Sequence, residues 1–271
     1  MEYWAPGVAC FNTIEQAVQG LSFCYNYHQA KNRHVPVQKT FSIDPEKLLP
    51  LAEKGRSQKL LIGEEALHVL DLFGIPVVKS GIAQSREELE TVASTMTYPL
   101  VLKVTGAAFL HKTEWGGVVT GIKNLEELIR AFDRVVENVH SHRRDANVEA
   151  FQIQEQIEGH ELLLGLKKDP QFDHIIACGL GGVYTEVFKD ISYAIAPVDH
   201  KEADEMLASL KIAPILKGLR GEAGIDWNGF VEIMERLSFL ASTLSGISEL
   251  DINPVIATST QCIAVDVRIM W

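Results

Sequence analysis

The 271-residue chain has no apolar run of 18 residues, so its sequence offers no membrane-spanning helix. Cysteine is scarce: Cys10, Cys24, Cys178 and Cys262 are scattered, without a C-x-x-C pair, which fits reduced thiols in a cytoplasmic protein. Positive charge is also short. Lys and Arg number 25 against 36 Asp and Glu, a net charge of -11, so neither nucleic acid nor an anionic membrane is expected as a partner. The opening Met1-Glu2-Tyr3-Trp4 lacks the basic and apolar regions of a signal peptide. There is no tandem repeat, no G-x-x-x-x-G-K-[ST] phosphate loop and no G-x-G-x-x-G dinucleotide fingerprint. A phosphate ligand would have to be held by individual lysines, glycine turns, helix N-termini or a metal ion.

What is present reads as alternating helices and strands. Ile14, Ala17, Val18, Leu21 and Tyr25 recur at helical spacing over 11–30. Residues 32–58 carry Pro36, Pro45 and Pro50 and read as a linker with one short helix. A helix is expected over Gly63–Phe73, closed by Gly74 and Pro76, then a strand over Ile75–Lys79. Ser85 with Glu88, and Asn124 with Glu127, signal capped helix starts. The second of these predicts a helix with Leu125, Leu128, Ile129, Phe132 and Val136 on its inner face. Strands are expected over 99–104, 118–122, 150–156, 161–166, 173–178 and 183–188. A helix around Phe230–Leu244 precedes two closing strands, Glu249–Ile256 and Cys262–Ile269. The pattern is of the α/β (α+β) class, two lobes of mostly antiparallel sheet covered by helices.

Four places have residues suited to phosphate chemistry. Lys103, in the apolar strand Pro99–Val104, is either a solvent-facing edge lysine or a point charge for a polyphosphate. His111-Lys112-Thr113-Glu114-Trp115-Gly116-Gly117 joins a potential nucleophile and a cation to paired glycines; alone, it reads equally as a surface loop. Gly179-Leu180-Gly181-Gly182 is a turn that either wraps a ligand or simply links strands. In Glu249-Leu250-Asp251-Ile252-Asn253, strand alternation puts three oxygen-bearing side chains on one face, with Asp266 on the next strand, which is either a polar, solvent-facing strand face or, the favoured reading, a site suited to Mg²⁺.

As an ordered set these motifs, with Asp169-Pro170-Gln171-Phe172 and Glu186-Val187-Phe188-Lys189-Asp190, resemble the ATP-grasp domain of ADP-forming (NDP-forming) acyl-CoA synthetases such as acetate–CoA ligase, relatives of the succinyl-CoA synthetase β subunit. The same module ends some bacterial protein lysine acetyltransferases, where its role is regulatory. The resemblance covers residues 58–271. Residues 1–57 are read as the tail of a preceding CoA-ligase domain plus a linker, with 5–31 as its last segment. The chain is thus expected to be the C-terminal portion of an enzyme, or one half of a split one.

The resemblance implies the reaction acyl-CoA + ADP + Pi = carboxylate + ATP + CoA, with ATP/ADP as substrate, Mg²⁺ as cofactor, a CoA-binding domain or subunit as partner, and an oligomer. His111 matches the loop histidine that relays a phosphoryl group. Lys103, Lys112, Gly116, Gly117, Gln154, Glu155 and Glu161 match nucleotide-binding positions, and Asn253 and Asp266 match Mg²⁺ ligands. Departures from the family pattern are Glu114, Trp115 and Ala194, where many members carry Asp, a small aliphatic residue and Arg. A nucleotide-binding fragment inactive on its own is the alternative to the regulatory and catalytic readings.

Overall fold

The computed structural model describes residues 9–31, 33–105, 116–142, 150–182, 188–219, 221 and 223–271. His111, Lys112, Glu114, Trp115 and most of the strand expected over 183–188 lie outside the described residues. The elements in chain order are α1 (Ile14–Lys31), α2 (Pro45–Gln58), β1 (Leu60–Ile62), α3 (Gly63–Leu72), β2 (Ser80–Ala83), α4 (Arg86–Ala93), β3 (Leu100–Thr105), β4 (Val118–Ile122), α5 (Leu125–His142) and β5 (Ala150–Glu155). They continue as β6 (His160–Asp169), β7 (Asp173–Leu180), β8 (Ile191–Ile195), α6 (His200–Ala208), α7 (Ala213–Leu216), α8 (Trp227–Thr243), β9 (Glu249–Ala257), β10 (Cys262–Ala264) and β11 (Val267–Met270).

The chain divides into two compact units, residues 1–36 and 37–271. In the first, α1 carries Ile14, Val18, Leu21 and Tyr25 at helical spacing, and all four are exposed. Phe11 lies over Gly20, where the absence of a side chain lets the ring sit close.

The second unit holds two sheets. The smaller has the order β2-β5-β3-β4 and the larger β1-β11-β9-β6-β7-β8, with β10 pairing β9. All their strand pairs are antiparallel. In the smaller lobe, α4 and α5 pack over one face of the sheet, and Leu89, Leu100, Leu102, Leu128, Val135 and Ile153 form its core. The buried stripe of α5 is Leu128, Ala131, Val135 and Val139, while Leu125 is exposed. Of the expected inner face, Leu128 is buried, Ile129 is half-buried, and Phe132 and Val136 pack half-buried against this core.

Both capping signals hold: Ser85 Oγ accepts from Glu88 N at 3.3 Å and Asn124 Oδ1 from Glu127 N at 2.9 Å. In the larger lobe, α6 and α8 pack together against the sheet around Leu162, Leu164, Ile176, Phe230, Leu237 and Ile252. Ala194, on β8, is part of this core.

The described residues depart from expectation at 45–58, at 75–79 and at the last expected strand. Residues 45–58 form a full helix, because Asp44 caps it and Pro45 stands at its first position, where a missing N–H costs nothing. Ile75–Lys79 is not a ladder strand. Its buried Ile75 and Val78 line a connector that exchanges hydrogen bonds with Ala264, and the strand itself is Ser80–Ala83. Beyond 188 the next strand is Ile191–Ile195. The last expected strand is two, β10 and β11, broken at Val265–Asp266.

Candidate functional site

β3 is an interior strand, flanked by β5 and β4. Its Leu100, Leu102 and Val104 enter the core of the smaller lobe, so alternation turns Val101 and Lys103 to the other face. Across the ladder, Lys103 pairs with Gln152 and Val101 with Gln154. The sheet's second face thus carries a lysine and two glutamines, all buried. This excludes the solvent-facing edge lysine.

That face meets the break between β10 and β11. Lys103 Nζ lies 3.5 Å from Asp266 Oδ2, with the lysine side chain 8% and the aspartate 35% accessible. Gln154 Nε2 donates to Val265 O at 3.1 Å. From β9, Asn253 N donates to Asp266 O at 3.1 Å, and Val265 N donates to Pro254 O at 3.0 Å. Asn253 Oδ1 accepts from Gly182 N at 3.1 Å, and Gly182 lies directly against the Glu161 carboxylate. Lys103, Asp266, Asn253, Gly182 and Glu161 therefore form one continuous chain of contacts from the smaller sheet to the larger.

On β9, Glu249, Asp251 and Asn253 share one face, alternating with buried Leu250 and Ile252. Burial pushes the Asp251 carboxyl up; Arg268 opposes this, while Glu249 and Asp266 add to it. Cations meet this negative charge at two points, Arg268 on Glu249 at 2.6 Å and Lys103 on Asp266. Among the described residues, no three histidine, cysteine or acidic side chains converge as a closed metal cage. Asp266 carries a partly accessible carboxylate and Asn253, joined to it backbone to backbone, an amide oxygen; these are donor types for Mg²⁺, which binds through one or two protein oxygens and completes its shell with water and phosphate. The residues present fit that ion.

Gly116 and Gly117 lead into β4 next to Val118, the other cross-strand partner of Lys103. Gly117 O accepts from Val104 N at 3.0 Å, and Asn138 Nδ2 donates to Gly116 O at 3.2 Å. Glu155 points away from this face: its carboxylate accepts from Thr97 N at 2.8 Å and lies 3.6 Å from Lys79 Nζ. Of Gln154 and Glu155, only Gln154 sends its side chain into the seam. Beside Glu161 opens a cavity of about 860 Å³, walled also by His160, Leu180, Phe188, Lys211 and Ile215.

Sequence reasoning missed Glu64 and Gln152. Glu64 Oε2, in the first turn of α3, accepts from Ser80 Oγ at 2.6 Å and from Gln152 Nε2 at 3.3 Å. The signal was available: Gln152 and Gln154 alternate with Phe151 and Ile153, which marks a strand with one polar face.

A buried lysine in a strand of one lobe, set against an oxygen-ligand pair in the other, suits a nucleotide held between two sheets. Comparison with known protein families finds the ATP-grasp domain over residues 52–270. The chain belongs to the ATP-grasp domain family. Within that family it is 35% identical over 222 residues to subunit β of acetate–CoA ligase [ADP-forming] I from Pyrococcus furiosus, covering 81% of this chain and 96% of that one. It is also 35% identical over 270 residues to acetate–CoA ligase [ADP-forming] I of Archaeoglobus fulgidus, covering 98% of this chain and 39% of the relative. Among solved structures, this ATP-grasp chain matches the dinucleotide forming acetyl-coenzyme A synthetase 1 of Ca. Korarchaeum cryptofilum. Its complex with coenzyme A, Ca-AMPCP and HgCl+ gives a TM-score of 0.78 at 33% identity, over 84% of this chain and 99% of that chain. A complex of the same protein with coenzyme A and Mg-AMPPCP, its phosphohistidine segment pointing towards the nucleotide binding site, gives 0.71 at 31% identity, again over 84% of this chain and 99% of that one. Among the described residues no helix is long and apolar enough to cross a membrane.

Proposed function

We propose that residues 37–271 bind ADP or ATP with Mg²⁺ between the two sheets, as the nucleotide half of an ADP-forming acyl-CoA synthetase. The observation that supports it best is the buried Lys103 facing Asp266 across the lobes. Buried in an interior strand, that lysine needs a counter-charge, and a polyphosphate would take over this role from Asp266. Asn253 and Asp266 would hold Mg²⁺, which supplies charge neutralisation at the phosphates. Lys103 orients the phosphate chain, Gly116 and Gly117 bring backbone close to it, and Gln154 and Glu161 border the nucleoside.

His111 is the acceptor of the phosphoryl group: the lone pair of a ring nitrogen forms the N–P bond as the bond to the ADP oxygen breaks, and the reverse transfer makes ATP. Lys112 offsets charge on the group in transit. The other half-reaction belongs with a CoA-binding module: acyl-CoA + Pi gives acyl phosphate + CoA, and the acyl phosphate then passes its phosphoryl group to the histidine as the carboxylate leaves. The curated relatives differ in whether they carry more than this chain spans: it covers 96% of the separate β subunit but 39% of the longer ligase.

Calorimetric titration of ADP into the protein, with Mg²⁺ and with EDTA, tests the reading. Micromolar to millimolar binding, weakened about tenfold to a hundredfold by Lys103→Met, is expected from loss of a charged phosphate contact. Binding unaffected by the substitution, in protein of native circular dichroism, would refute it.

A further inference from the structure

The turn Gly179–Gly182 has no ligand-contacting role in the function above, and its geometry gives it another. Gly182 has φ +66, and a Cβ at this position would lie 1.8 Å from Glu161 Oε2. The carboxylate of Glu161 thus occupies space that exists only because residue 182 has no side chain. The backbone here cannot retreat. Gly182 N is held by Asn253 Oδ1 at 3.1 Å, and the preceding Gly181 N by Glu161 O at 2.9 Å. Because a backbone N–H only donates, the Asn253 atom facing it must be the amide oxygen, which keeps a second lone pair for a cation.

We propose that Gly182 is a positioning residue: it lodges the Glu161 carboxylate beside Asn253, and so fixes the spacing between the nucleoside side and the metal side of the site. This rests on the nucleotide reading given above. A methyl group at 182 meets the far end of a flexible side chain, so the strand pairing survives and Glu161 is what moves.

The test compares Gly182→Ala with Gly121→Ala. Gly121 has φ +73, and a methyl group added there would meet nothing within 4 Å, so its substitution carries the same backbone strain without the collision. Both variants should melt below the wild type. Only Gly182→Ala should weaken Mg²⁺–ADP binding by calorimetry, by about tenfold, the effect of losing one charged hydrogen bond. The double variant Glu161→Ala/Gly182→Ala has no carboxylate left to displace and should bind as Glu161→Ala does alone. This comparison also serves if Gly182→Ala by itself does not fold.

Wild-type affinity in Gly182→Ala, or a double variant tenfold weaker than Glu161→Ala, overturns the proposal while leaving nucleotide binding intact. Absence of Mg²⁺–ADP binding in the wild type instead removes the reading on which the proposal stands.

Discussion

A lysine inside an interior strand is costly unless its charge is answered. The answer at Lys103 comes from Asp266, on a backbone break in the other lobe rather than on a neighbouring strand. The sequence shows the lysine and the aspartate but not their meeting. Their partnership depends on where β9 changes partner: β10 pairs with residues 255–257 and β11 with 249–252. Pro254 has no N–H to give the ladder, and opposite it the partner strand breaks at Val265–Asp266. By contrast, the shared face of Asp251 and Asn253 follows from strand alternation alone and is readable.

The buried cysteines make a residue-scale prediction. Burial, reinforced by Asp190, pushes the Cys178 thiol up to about 12, and burial with Asp226 does the same for Cys262. Native protein holds these protons after the unfolded chain, at the ordinary value of 9.0, has released them. Their contribution to stability is therefore complete below about pH 9 and falls as pH rises towards 12. At about pH 8, iodoacetamide should label the exposed Cys10 and Cys24 and spare Cys178 and Cys262 until denaturant is added, as peptide mass spectrometry can show. Rapid native labelling of the latter pair would contradict their environment.

At the scale of elements, local chemistry is more legible than boundaries. The caps at Ser85 and Asn124 are plain, because an oxygen before a helix with Glu three residues on has one good use. In both cases the glutamate reaches back one residue beyond the cap, to Gln84 N and Lys123 N. The stripe of α5 is read in part: Leu128 is buried and Phe132 and Val136 pack half-buried against the core, Phe132 on the ring of Phe151, while the neighbouring Ala131 and Val135 are the more deeply buried positions. Only the packed partner decides which of two adjacent apolar stripes is inside.

α2 carries a second prediction. Gly55 lies within this helix, where alanine ordinarily gains up to about 1 kcal/mol. Here a Cβ would stand 2.3 Å from the Trp271 ring, which is packed onto the glycine. Gly55→Ala should therefore destabilise the fold by about 1–3 kcal/mol, seen as a lower midpoint in urea. A raised midpoint would show that the tryptophan moves aside without loss.

For the whole molecule, the two-lobe α/β plan is readable from the order of elements, and the seam between lobes is not. It is built from Lys103, Gln154, Val265, Asp266 and Asn253, residues up to 163 positions apart. Function at this scale depends on two half-reactions. The protein alone should bind ADP but not convert acetyl-CoA, ADP and phosphate to ATP, while addition of a CoA-binding module from a split relative should restore ATP formation in a coupled luciferase assay. ATP formation by the chain alone would show that both half-reactions reside within it.

The central claim, that Lys103 and Asp266 belong to one Mg²⁺–nucleotide site, is tested most directly by Asp266→Asn. ADP affinity would be measured by calorimetry with Mg²⁺ and with EDTA. Removing the carboxylate takes away a metal ligand and also frees Lys103 for phosphate. ADP should therefore bind in EDTA at least as tightly as to the wild type, and Mg²⁺ should no longer strengthen it. A variant whose ADP binding still tightens with Mg²⁺ as the wild type does would contradict the account.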